Sequence, residues 1–99
     1  MTKNEKSTMI EALGKSAVLA NFYARAFEKY ADDDSAREVS RKRAKQNAEK
    51  VNTIIELMRA LGFNVERQIT TLQSGLVVNN MITVNGWLVI ESRNDGAAQ

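Results

Sequence analysis

Apolar positions change their period once along this chain, close to Gly62. Before that glycine, Leu13, Ala17, Ala20, Ala24, Phe27 and Ala31 recur at intervals of four and three, with Ile10, Tyr23 and Tyr30 on the flanks. Such intervals return side chains to one side of an α-helix, and they predict a helix reaching to about Tyr30. Thr2-x-x-Glu5 and Thr8-x-x-Glu11 both fit a capping box, in which hydroxyl and carboxylate satisfy free amides at a helix start, so its beginning is open between them. Gly14 interrupts the pattern at a cost of ~1 kcal/mol relative to alanine.

Asp32-Asp33-Asp34 ends this helix, and Ser35-Ala36-Arg37-Glu38 opens the next with another capping box. Three carboxylates there complement the helix dipole. They point in divergent directions and lack the oxygen-ligand spacing of a calcium loop, so capping is preferred over a Mg²⁺ or Ca²⁺ site. Ala44, Ala48, Val51, Ile55, Met58 and Leu61 form a near-heptad seam, widened by Ile54 and Leu57. Gly62 stands where a left-handed C-cap glycine belongs. Two long helices joined by a short acidic turn predict an antiparallel hairpin, and its alanines allow close backbone approach.

After Gly62 the composition turns to Val, Ile, Thr and Asn. Asn85-Gly86 between two apolar runs is a strong hairpin signal, because both residues tolerate positive φ. A two-residue loop there pairs Val84 with Trp87 and Ile82 with Val89, leaving Met81, Thr83, Leu88 and Ile90 on the opposite face. Ser74-Gly75 marks an earlier turn. Three antiparallel strands are predicted, about 64–72, 76–84 and 87–92, followed by a polar tail over 93–99 expected to be disordered. The expected fold is α+β, one αα-βββ domain over 1–99 with the hairpin at 1–62 and the meander at 63–92.

Composition then removes functions. The chain has 99 residues with no histidine, cysteine or proline. Disulfides, thiolate metal sites, cysteine nucleophiles and Ser-His-Asp catalysis are excluded by inventory. The glycines are scattered and form no phosphate loop, and the carboxylates sit at caps or ordinary exposed helix positions. No enzyme activity, cofactor or metal site is expected. Nor is a membrane span, since no apolar run approaches ~18–20 residues. The first residues lack the apolar segment of a secretory signal, and a cytoplasmic protein is expected. Of the apolar residues 12 are alanine, which leaves a thin core that self-association would support.

The net charge is only +2. Positive charge is concentrated between Ser35 and Lys50, where Arg37, Arg41, Lys42, Arg43, Lys45 and Lys50 face only Glu38 and Glu49; the rest of the chain is net negative. Arg37, Arg41 and Lys45 follow at i, i+4 and line one helical face, which suits phosphates through counterion release. No aromatic is interleaved with them, and no RNA- or DNA-binding signature is present. Arg37, Arg41, Lys42, Arg43 and Lys45 are therefore candidates for nucleic-acid or nucleotide-phosphate binding. The competing expectation is a solvated face paired with nearby carboxylates.

Val18 and Phe22 fall off the main stripe of the first helix, and Met81, Leu88 and Ile90 occupy the second face of the strand hairpin. These five are candidate interface residues, since surplus apolar surface marks an association site. A homo-oligomer, with a dimer favoured, and a further protein partner are expected. In its short length, Lys/Glu/Asn-rich start, long helical hairpin and lack of catalytic residue types, the chain resembles small accessory proteins encoded by bacteriophages and mobile elements of Gram-positive bacteria. That resemblance spans residues 1–62 and implies a non-enzymatic protein acting by binding: an inhibitor of host defence, a small regulator or a sponge for signalling nucleotides. The functional expectation is a homo-oligomeric interaction module, with phosphate binding along the second helix as the alternative.

Overall fold

In a computed structural model that describes residues 1–30 and 32–91, two helices, α1 (Lys3–Lys29) and α2 (Asp34–Ala60), precede three strands, β1 (Val65–Thr71), β2 (Val77–Val84) and β3 (Trp87–Glu91). The fold is the expected αα-βββ arrangement of the α+β class. Ala31, Ser92 and the tail expected over 93–99 lie outside the described residues.

Of the two possible starts, α1 uses the first. The Thr2 hydroxyl accepts from the Glu5 N–H at 3.1 Å, and the Glu5 carboxylate accepts from the Thr2 N–H at 2.9 Å. Thr8 lies inside the helix and donates its hydroxyl to the Asn4 carbonyl. The start of α2 corrects the expectation. Asp33, not Ser35, is the N-cap, its carboxylate accepting from the Ala36 N–H at 3.0 Å. A carboxylate caps as well as a hydroxyl, and choosing the earlier residue extends the helix to include Asp34. Gly62 takes φ +96° beyond the Leu61 C-cap, as the C-terminal glycine should.

The sheet is antiparallel in the order β1-β2-β3. Asn85 and Gly86 have φ of 50° and 83°, fitting the tight hairpin between β2 and β3. Val84 pairs with Trp87 as expected, but Ile82 pairs with Ile90 rather than Val89. A β-bulge inserts Val89, and Val89 and Ile90 then both pack against the core. Ile90 is therefore not on an outward face: alternation ends at the bulge, so the period-2 expectation fails there. A second bulge interrupts β1–β2 pairing between Gln68 and Ile69.

The sheet covers one side of the helical hairpin, with α1 meeting β2 and β3, and α2 meeting β1. Leu13 and Ala17 of α1 and Val51, Ile55 and Met58 of α2 pack with Val65, Ile82 and Val84 as the larger core. A smaller cluster joins Ala24, Ala44, Leu76 and Val78, covered by Tyr23, Phe27 and Leu72. The α2 seam differs from expectation at two positions. Ala48 is only half-buried and Leu61 is exposed, while Ser40 and Asn47 are buried in their place. The seam rotates because α2 packs against α1 and the sheet together, and Asn47 satisfies its amide on the Arg43 carbonyl one turn back.

Candidate interaction surface

The five candidate cations on α2 are dispersed by their surroundings. Arg37 is half-buried, its guanidinium 4.5 Å from the centre of the Phe27 ring. Arg43 lies 5.5 Å from the Tyr23 ring centre and donates to the Tyr23 hydroxyl at 3.0 Å. Both arginines thus spend their planar faces on α1 aromatics. Arg41 sits 4.0 Å from Glu38, the one ion pair among the described residues. Lys42 and Lys45 are exposed, and Lys45 borders a groove of about 240 Å³ between α2 and the β1–β2 turn, beside Asn52 and Gly75. The straight basic face expected from Arg37, Arg41 and Lys45 is broken at its first member.

The five apolar candidates are also placed differently from one another. Val18 and Phe22 are 54% and 62% exposed, one turn apart on α1. Phe22 meets Tyr23 edge-on with ring centres 5.1 Å apart, which leaves its outer face open. Leu88 is 55% exposed and stands opposite Thr83 in the sheet. Met81 is half-buried, and Ile90 belongs to the core margin. The most exposed large apolar side chain is Trp87 at 78%, at the start of β3. Its partner Val84 is buried, so cross-strand pairing alone misjudges an edge residue next to a turn.

A buried polar network was not anticipated from the sequence. The Asn21 side chain donates to the Asn79 carbonyl at 2.9 Å and accepts from the Asn79 N–H at 2.6 Å. Both bonds go to backbone groups of β2, so the Asn21 amide pairs with the strand much as a neighbouring peptide group would. Asn79 in turn accepts from Arg67, which also donates to Asn52 of α2. Burial, and then the neighbouring Arg59, lower the Arg67 pKa from its ordinary value. Arg59 is anchored on the Val65 carbonyl through Nε and Nη2. The signal for this network lay in asparagines at helix and strand positions where an apolar residue would fit the pattern.

A groove of about 730 Å³ runs between α1 and α2 along Ala12, Ser16, Lys50, Thr53 and Ile54. It is a trough between helices. Among the described residues no group of three Asp, Glu, His or Cys side chains is placed to hold a metal ion, and no helix is long and apolar enough to cross a membrane. Compared with known proteins, the chain matches no family model, no curated relative and no solved structure.

Proposed function

We propose that this chain is a small accessory protein that acts by binding, as a self-associating interaction module of the cytoplasm. The observation that carries this reading is the exposure of Val18 and Phe22 on α1 in a chain whose core is thin. An exposed aromatic beside an exposed β-branched residue on a rigid helix offers contact area at little cost in side-chain entropy. The other proposal, phosphate binding by α2, draws less support. Arg37 and Arg43 are held on Phe27 and Tyr23, and Arg41 sits beside Glu38.

Sedimentation of the purified chain over a dilution series tests the reading. A mass that falls from oligomer to monomer on dilution is the expected result; a monomer at every micromolar concentration overturns it. Titration with a short labelled duplex at ~50 mM salt tests the alternative, since phosphate contacts are strongest there. Tight binding that collapses with added salt is the outcome that would replace interaction with nucleic acid.

A further inference from the structure

Resting on the self-association reading, we propose that two copies of this chain pack through the outer flank of α1, antiparallel about a two-fold axis at Val18. The sheet order places β3 on the α1 side, and α2 lies on the other. On the flank of α1 turned away from α2, β3 reaches Gly14 through Val89, while Val18 and Phe22 remain exposed among the described residues.

The residues along that flank are symmetric about Val18. Glu11 lies seven positions before it and Arg25 seven after; Gly14 lies four before and Phe22 four after. At ~100° per residue all five fall within a sector of roughly 80°. A two-fold axis through Val18 sets Val18 against its own copy and each Phe22 over Gly14 of the second copy. It also sets each Glu11 against Arg25 of the second copy. Glu11 and Arg25 are exposed, and neither belongs to the ion pair found among the described residues. An isologous contact requires this self-complementarity, and an unrelated partner would not.

Gly14 supplies an independent argument. A glycine within α1 weakens the helix, so packing should explain it. Within one chain it does not: a Cβ at Gly14 would stand 3.5 Å from Val89 Cγ1, an ordinary contact that alanine could make. Room for the Phe22 ring of a second copy gives the missing side chain a purpose.

Charge reversal with rescue tests the arrangement on the full-length chain. Glu11→Arg and Arg25→Glu should each weaken dimerisation about tenfold or more at low salt, and the double variant should restore it. A wild-type dimer indifferent to both single changes overturns this surface and leaves self-association standing. A double variant that stays dissociated overturns the pairing, and a monomeric wild type overturns both readings. Gly14→Ala separates the contact from folding: the variant should melt no lower than wild type at high dilution yet associate more weakly. Unchanged association in that variant overturns the Phe22–Gly14 contact.

Discussion

Around Met58 the hairpin meets the sheet through Leu13, Val51, Ile55, Val65, Ile82 and Val84, whereas around Ala24 the helices bring Ala24, Ala44 and the Asn21 amide to Leu76, Val78 and Asn79, with Tyr23 and Phe27 at the margin. The first region relies on the area of large apolar side chains removed from water. In the second, Ala20, Ala24 and Ala44 bring the backbones close, and Asn21 satisfies the Asn79 N–H and carbonyl of β2. Large side chains give stability wherever volume is filled. An amide placed against two backbone groups also fixes position, because a shift of α1 along the sheet would leave the buried Asn79 N–H and carbonyl without partners. The second region therefore holds the half of α1 that presents Phe22 and Arg25 to solvent.

The largest expected effect belongs to the apolar region. Met58→Ala should cost ~3–4 kcal/mol in chemical denaturation, as a fully buried side chain leaves a cavity. A loss below ~1 kcal/mol would mean that this core collapses freely and is not the main support. Next comes Asn21→Ala, which removes a small volume but orphans two buried backbone groups; ~2 kcal/mol is expected. Asn21→Leu should be no better, because the lost partners are polar. A leucine variant as stable as wild type contradicts the contrast between the regions.

Smaller effects lie at the start of α1. Thr2→Ala removes the N-cap hydroxyl and should cost ~1 kcal/mol, read as a shift in the denaturation midpoint. The Glu5 carboxyl is held below its ordinary value, first by the Thr2 backbone N–H and then by the Thr2 side chain. A group whose folded pKa is depressed stabilises the fold above its unfolded value, near 4.5 here, and loses that contribution as pH falls through the folded value. Thermal melts should thus show Glu5→Gln weaker than wild type at neutral pH, with the gap closing on acidification. A gap that widens in acid has the wrong sign for this cap.

Period and punctuation made most of the fold legible. Leu13, Ala17, Ala20 and Ala24 kept the helical interval, and Gly62, Gly75 and the Asn85-Gly86 pair marked their turns. Legibility failed where one residue served two neighbours. Ile90 was misplaced because a bulge admits Val89, and a bulge has no fixed signature in the side-chain pattern. Asn21 and Asn79 were missed because a polar residue in an apolar stripe is read as an interruption until its partner is seen. The basic stretch of α2 was visible as charge, but Phe27 and Tyr23, which take up Arg37 and Arg43, come from the other helix. At the candidate surface, Val18 and Phe22 stood out as apolar residues off the stripe. Their relation to Glu11, Gly14 and Arg25 depends on which side of α1 faces away from α2, and the periodicity alone does not give that.

The two-fold axis at Val18 can be probed by a single covalent trap, because the chain has no cysteine of its own. A residue on the axis faces its own copy, so Val18→Cys should form a disulfide-linked dimer under mild oxidation. Lys42→Cys, on exposed α2 surface, is the control for random collision. Rapid and near-complete cross-linking of the Val18→Cys chain, with the Lys42→Cys chain left mostly monomeric, is the predicted result. Equal, slow cross-linking of both would contradict an α1-to-α1 dimer.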